Sequence, residues 1–282
     1  MKRFTIIDGG LSTALEQIGA DISGPLWTAR TIVENPGILE TAHRAFVDAG
    51  AEIIITASYQ CGVDDTDLAA TTAIARRAAD SRARVAASIG PFGASLADGS
   101  EYTGRYGVPW ERVEDYHRAK IAVLVDTDPD LFAVETIPLA DEARLIAGIL
   151  VELGAPPAWF SFGFVDEAST YGGDPLAAAL DAVIGYESLV AVGANCTAPS
   201  LIPAITARLH ESAPALPLIA YPNHGRQWDA DARCWIGSGT RVPDDKSLAE
   251  WVANGVEYIG GCCGVGPEGI GALVDARSRL LT

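Results

Sequence analysis

Short apolar, β-prone runs return along the chain with a regularity that few folds accommodate. They fall at residues 4–7, 52–57, 84–89, 131–135, 158–164, 189–194, 216–221 and 256–260, each followed by Gly, Pro or polar residues and then by an Ala/Leu-rich segment of helical period. Most runs are apolar throughout rather than alternating, as expected of parallel strands covered on both faces. The helical segments lie at 36–48, 66–82, 110–126, 139–153, 174–184, 199–211, 245–253 and 267–280, with an extra one at 11–18 in the loop after the first strand. Asn35 and Pro36 supply a cap and a first-turn proline, and Gly50 a stop. Strand and helix alternating in this way eight times predict an α/β chain forming one (β/α)8 TIM-type barrel over residues 1–282. The rival, a doubly wound open sheet, carries a phosphate-binding glycine fingerprint after its first strand; here Asp8-Gly9-Gly10 runs into Leu11-Ser12-Thr13.

Two stretches have no clear period, residues 90–109 and 223–243. Both begin at the carboxyl-terminal end of a strand, the face on which a barrel of this type builds its active site. No stretch reads as a domain linker.

Composition excludes several partners. With 20 Lys and Arg against 37 Asp and Glu, a net charge of −17, the chain lacks the clustered cations that nucleic acid or an anionic membrane requires. No run approaches the roughly 18 apolar residues of a membrane span, and residues 1–8 lack the apolar core and cleavage site of a secretory signal. Five cysteines without a regular framework fit a reducing, cytoplasmic setting in which thiolates are available to metal.

Two of those cysteines are adjacent, in Gly260-Gly261-Cys262-Cys263-Gly264. Neighbouring cysteines rarely bond to each other, because an unstrained trans peptide does not give disulfide geometry. They can share a soft metal ion if the backbone bends, and the glycines are expected to allow that through positive φ. Cys196, in Asn195-Cys196-Thr197, ends another strand-like run and offers a third sulfur. Free cysteines also serve as small buried apolar side chains, but the surrounding glycines and the matching strand end favour a metal site. Three thiolates suit Zn²⁺ and leave one position open, where a structural site would be closed by a fourth ligand. Such a centre is a poor Lewis acid for hydrolysis, yet it lowers the pKa of an added thiol while leaving it nucleophilic, which points to thiol alkylation.

The same face is expected to collect Asp8, Ser58-Tyr59-Gln60, Gly90-Pro91, Glu135, Asn195 and Asn223-His224. Asp8 before two glycines is also a common turn motif. Glu135 ends an apolar run and needs a partner if buried. His224 reads as a loop residue beside the site, Cys61 and Cys234 as spare thiols on the same face, and His43, His117 and His210 as surface or packing residues of helices.

Taken together, Asp8-Gly9-Gly10, Pro25-Leu26-Trp27, Ala49-Gly50-Ala51 through Thr56-Ala57-Ser58-Tyr59-Gln60, Asp98-Gly99-Ser100-Glu101-Tyr102, Glu135-Thr136-Ile137-Pro138, Asn195-Cys196-Thr197-Ala198-Pro199, Tyr221-Pro222-Asn223 and Gly260-Gly261-Cys262-Cys263-Gly264 resemble the homocysteine S-methyltransferase family, over nearly the whole chain. The resemblance implies a zinc-dependent barrel in which Cys196, Cys262 and Cys263 hold Zn²⁺, homocysteine binds through its sulfur, and a methyl group is passed to it to give methionine. It further implies that Asp8 and Glu135 meet the α-ammonium group, that the amides of Gly9 and Gly10 meet the carboxylate, and that Asn195 belongs to the substrate site. The Asp-Gly-Ser-Glu-Tyr loop resembles the branch using S-methylmethionine or S-adenosylmethionine. Folate use normally comes with further domains. Residues 161–165 lack the more polar run of the closest methyltransferases. Aromatic residues around a cationic donor would come from Tyr59, Trp27, Tyr102, Tyr106, Trp110, Tyr221 and Trp228, most of which are expected to be core or loop-packing residues. The alternatives are the same barrel acting on selenocysteine or another thiol, betaine as donor, or a binding protein whose zinc is purely structural.

Overall fold

In the computed structural model, which describes residues 2–21, 32, 35–62, 67–225, 227–229, 234–236 and 242–282, eight parallel strands form a barrel wrapped by helices. The barrel strands are β1 (Thr5–Ile6), β2 (Ile53–Ile55), β3 (Arg84–Ile89), β4 (Leu131–Ile137), β5 (Ala158–Phe162), β6 (Leu189–Asn195), β7 (Leu218–Tyr221) and β10 (Val256–Ile259). Their order is β1-β10-β7-β6-β5-β4-β3-β2. The two ends meet through a parallel bridge between Ile7 and Ile53, flanked by Asp8 N donating to Ile53 O (3.0 Å) and Glu52 N to Ile6 O (2.7 Å). That closure leaves no free sheet edge.

Strand parity explains what fills the barrel. In β4 the buried Leu131 and Ala133 pack inside with Ile7, Ile53, Trp159 and Tyr221, while Phe132 and Val134 belong to the larger core beneath the helices. Continuing the same alternation puts Glu135 on the inner face. Likewise Ala86 places Ser88 inward on β3, and Ile219 places Tyr221 inward on β7. Strands β6 and β7 approach most closely at Gly193, where a Cβ would sit 1.8 Å from Ile219 O.

The helices are α1 (Leu11–Gln17), α2 (Pro36–Asp48), α3 (Leu68–Ala79), α4 (Phe92–Leu96), α5 (Trp110–Val125), α6 (Ala140–Glu152), α7 (Leu176–Val183), α8 (Ile202–Ser212), α9 (Asp245–Ala253) and α10 (Pro267–Leu281). Asn35 caps α2 as expected, its Oδ1 accepting from Ile38 N. Helix α3 is shorter than its period suggested, because Asp67 caps one end and Asp80 adopts φ +47° at the other. The segment at 199–211 opens as a 3-10 turn, Pro199–Leu201, before α8 begins.

Both long loops contain short elements among the described residues. The first contains α4 and a 3-10 turn, Ser100–Tyr102; the second carries an antiparallel pair, β8 (Gln227–Asp229) with β9 (Cys234–Ile236). Glu142 on α6 ties the first loop down from below. It accepts from Phe92 N (2.7 Å), Tyr106 Oη (2.5 Å) and the buried His117 Nε2 (2.8 Å), so His117 is an internal anchor rather than a surface residue. His43 is also fully buried, and burial lowers its imidazole to about 4. Among the described residues, no helix is long and apolar enough to cross a membrane.

Candidate active site and metal centre

At the carboxyl-terminal rim the sulfurs of Cys196, Cys262 and Cys263 converge, all within 4.8 Å of one another, with Cys196 Sγ and Cys263 Sγ 3.7 Å apart. The loop after β7 staples the two contributing segments together. Tyr221 O accepts from Cys196 N (3.3 Å), Pro222 O from Cys262 N (2.8 Å), and Cys263 O from His224 N (3.0 Å). Cys196 itself sits in the left-handed region at φ +49°, a strained conformation for a side chain with a Cβ. Its carbonyl is held there by Tyr171 Oη (2.8 Å) and Asn223 Nδ2 (3.4 Å).

The glycines serve chiefly a different purpose from the one expected. Only Gly264 of the three has positive φ, +80°, and a Cβ there would lie 2.3 Å from the His224 ring. Gly260 is required by close approach instead, since its Cβ would meet Ile7 Cγ1 at 2.3 Å and Asp8 O at 2.6 Å. The β1 and β10 ends are packed backbone to backbone, which is how residues 8 and 262, far apart in sequence, come to share one site.

Electrostatics inside the thiol cluster test its fit to a cation. Donation from Cys196 and Cys262 holds the Cys263 thiol well below its ordinary range. Donation to Cys196 and Cys263, reinforced by burial, pushes Cys262 up. Cys196 accepts from Cys262, which lowers it, but donation to Cys263 together with burial raises it overall. Three thiolates held this close repel one another, so a cation is what would let all three ionise together. The spacing suits one: at a metal–sulfur distance of about 2.3 Å, tetrahedral ligands lie about 3.8 Å apart.

Beside the thiols are two buried acids. Asp8, 1% exposed, accepts from Ile55 N through Oδ2 (2.8 Å), while its Oδ1 has no hydrogen-bond partner. Burial, with the neighbouring Glu135 adding to it, raises the Asp8 carboxyl well above its ordinary value. Glu135 accepts from Ser88 Oγ (2.5 Å), and burial raises it to about 7 although Ser88, Tyr221 and Lys120 oppose the shift. An irregularity in the β4–β5 register follows Val134, where Thr136 adopts φ +58°, unusual for a β-branched residue.

Asn195 explains how that backbone is held. Its Oδ1 accepts from Thr136 N (2.7 Å) and its Nδ2 donates to Thr136 Oγ1 (2.7 Å), so both ends of the fully buried amide are committed to Thr136. It couples the strand end bearing Glu135 to the one bearing Cys196. The Gly10 amide donates to Val265 O (2.9 Å). Among the described residues, Gly9 N has no such backbone acceptor.

The aromatic candidates divide. Tyr221 is a barrel-core residue whose Oη lies 2.5 Å from Ser161 Oγ and 3.0 Å from Trp159 Nε1. Tyr106 packs on Phe92, and Trp110 lies on the outer layer beside Asp141, Arg144 and Leu145. Tyr59 and Tyr102 stay near the thiols, and Trp27, the Trp228 side chain and the Cys234 side chain lie outside the described residues. Cys61 is part of the apolar core, its thiol donating to Ala57 O (3.4 Å), and is no member of the metal-binding set. His224 is 7% exposed and acts electrostatically on Cys263, so it packs against the centre rather than in open loop.

Sequence reasoning overlooked the supports: Ser88, Thr136, Tyr171 and Lys120. Lys120 is buried on α5 and donates to Tyr59 O (2.9 Å). Nothing in a basic residue of helical period distinguishes it from a surface lysine.

A closed (β/α)8 barrel whose carboxyl-terminal rim gathers two buried acids and three thiols that could hold a metal ion has the architecture of a barrel enzyme. The comparisons narrow this class: residues 5–277 match the homocysteine S-methyltransferase family model, and the chain belongs to that family of methyltransferases. It is 36% identical to homocysteine S-methyltransferase 2 of Arabidopsis thaliana, covering 98% of this chain and 94% of that protein. It is 34% identical to selenocysteine Se-methyltransferase of Brassica oleracea var. italica, covering 98% and 90%. The crystal structure of the homocysteine methyltransferase MmuM from Escherichia coli in its metallated form superposes with a TM-score of 0.85 at 33% identity, covering 99% and 96%.

Proposed function

We propose that the chain, acting in the cytoplasm as one homocysteine-binding domain, transfers a methyl group from a sulfonium donor, S-methylmethionine or S-adenosylmethionine, to the thiol of L-homocysteine. The observation that carries this reading is the placement of the three thiols beside two buried carboxyls, one with an unpartnered oxygen. Cys196, Cys262 and Cys263 are the residues that would hold Zn²⁺, whose contribution when bound is to favour the ionised form of an acceptor thiol without quenching its nucleophilicity.

The remaining work falls to the protein. Asp8 and Glu135 receive the α-ammonium group of homocysteine, which supplies the cation their buried carboxyls lack. The Gly9 amide donates to the α-carboxylate. Asn195 keeps Glu135 and Cys196 in register by fixing Thr136. Held in this way, the acceptor sulfur meets the donor methyl carbon in line. A new sulfur–methyl bond forms as the old one breaks, its electron pair returns to the donor sulfur as a neutral thioether, and the thiol proton leaves to solvent. No group on the enzyme is alkylated.

The test is a donor panel with homocysteine as acceptor and methionine as product. Turnover with a sulfonium donor is expected; turnover with betaine alone, or with none, contradicts the proposal. Similarity to a selenocysteine Se-methyltransferase favours a second reading, in which a selenol is the better acceptor. A higher kcat/KM for selenocysteine in the same assay would establish it.

The pocket should also be pH-sensitive in a defined direction. Glu135, near 7 when the pocket is empty, must lose its proton to pair with an ammonium group. Methionine, which has the amino-acid groups but no thiol, should therefore bind up to about tenfold more tightly for each pH unit raised below 7 and level off above it. Calorimetric titrations across that range check this, and Glu135→Gln should flatten the dependence. Affinity that falls as pH rises would contradict the assignment.

A further inference from the structure

Glu101 has a buried charge that the reading above leaves without a task. It lies in the Ser100–Tyr102 turn and is 3% exposed, with its Oε2 unpartnered among the described residues. Burying a carboxylate in this manner is costly; backbone hydrogen bonds from Gly99 and Glu101 itself offset only part of the burial, and other contacts also hold the turn. Asp98 Oδ1 accepts from Ser100 N (2.9 Å), Gly93 packs so closely that a Cβ would lie 2.5 Å from Glu101 N, and Tyr102 meets Tyr171 edge to face at 5.4 Å.

The surroundings of the carboxyl identify what it faces. Tyr102 of the same turn packs on Tyr171, whose Oη donates to Cys196 O (2.8 Å), which places the turn beside the thiol centre; burial raises the Glu101 carboxyl, with the Asp98 and Cys263 charges adding to the shift. Burial and then Glu101 raise the Tyr59 phenol, and Glu101 also contributes to the rise of Tyr102. A buried carboxyl with one unpartnered oxygen, in the same turn as Tyr102, within electrostatic reach of the Tyr59 phenol and distinct from the Asp8–Glu135 pair, suits a permanent cation that cannot donate hydrogen bonds.

We propose that Glu101, with Tyr59 and Tyr102, forms the subsite for the positively charged sulfur of the methyl donor. This rests on the sulfonium reading above and assigns its specificity to one residue. As the methyl group leaves, the donor sulfur becomes neutral and the attraction to Glu101 disappears, so the subsite favours substrate over product.

The experiment compares S-methylmethionine with homoleucine, its uncharged isostere in which CH replaces S⁺, and S-adenosylmethionine with S-adenosylhomocysteine, by calorimetry on the intact enzyme with methionine filling the acceptor pocket. The wild type should prefer at least one sulfonium by about tenfold or more, and Glu101→Gln should bring that preference close to unity while leaving the neutral partner and methionine within about twofold. Glu101→Asp should retain part of the preference. Tyr102→Leu, a change at a partly exposed position, provides a second variant and should lower it about threefold.

Equal weakening of charged and neutral ligands, an undiminished preference in Glu101→Gln, or no preference in the wild type overturns the proposal. Methionine formation, measured alongside, separates the two readings. Glu101-dependent sulfonium binding without turnover removes the reaction and keeps the subsite; turnover with an unaltered donor KM in Glu101→Gln removes the subsite and keeps the reaction.

Discussion

Replacing Cys263 with alanine should abolish metal retention and methyl transfer together, with kcat/KM falling by about a thousandfold or more. The size of the effect follows from the geometry. Three sulfurs within 4.8 Å of one another provide the whole described donor set, and two of them cannot substitute for the third. Hydrogen bonds from the neighbouring thiols also hold Cys263 below its ordinary range, so its loss removes the member of the set that ionises most readily. Cys262→Ala should behave alike. Alanine is smaller than cysteine and the site lies on the rim, so the thermal midpoint of the metal-free protein should change little. Metal analysis of the purified variants, paired with turnover, checks the prediction; a Cys263→Ala enzyme that turns over fully without metal would refute it.

Glu135→Gln should raise the KM for homocysteine by about ten- to a hundredfold, corresponding to roughly 1.4–2.7 kcal/mol of lost ammonium recognition. Glutamine keeps the shape of the side chain and still accepts from Ser88, so the β4 end should remain as it is. Metal content and donor KM should hold steady, which distinguishes a lost substrate contact from a disturbed site. Asp8→Asn should act in the same direction, since the unpartnered Oδ1 is the atom that would otherwise pair with the ammonium group. An unchanged homocysteine KM in both variants would remove the pair from the acceptor pocket.

How much of this was legible in the chain depends on the range of the interaction. Each barrel strand is an uninterrupted apolar run, so its existence could be read locally, and strand parity carries Glu135 to the inner face without further information. The paired cysteines and Cys196 were visible because glycine-rich strand ends are rare places for thiols. The hydrogen bonds that Asn195 makes were not legible, because its partner, Thr136, is 59 residues away. The bond from the Gly10 amide was hidden for the same reason: its acceptor, Val265, is at the other end of the chain.

The long loops were harder still. Residues 92–96 are rich in small residues and too short for helical period to show, and their order comes from Glu142 below, which bonds Phe92 N. Glu101 looks like an ordinary polar loop residue, and only the folded loop reveals that its carboxyl is buried. Function in such barrels is concentrated in the connections after the strands, where tertiary contacts rather than local pattern decide the conformation.

The central claim is that Cys196, Cys262 and Cys263 hold a zinc ion on which methylation of homocysteine depends. The most direct measurement is methionine formation from homocysteine and a sulfonium donor by enzyme stripped with a chelator, then titrated with Zn²⁺. The expected result is background turnover in the stripped enzyme and full recovery at one equivalent of zinc per chain. Full turnover by verified metal-free enzyme, or no recovery at any zinc concentration in protein that remains folded, would contradict it.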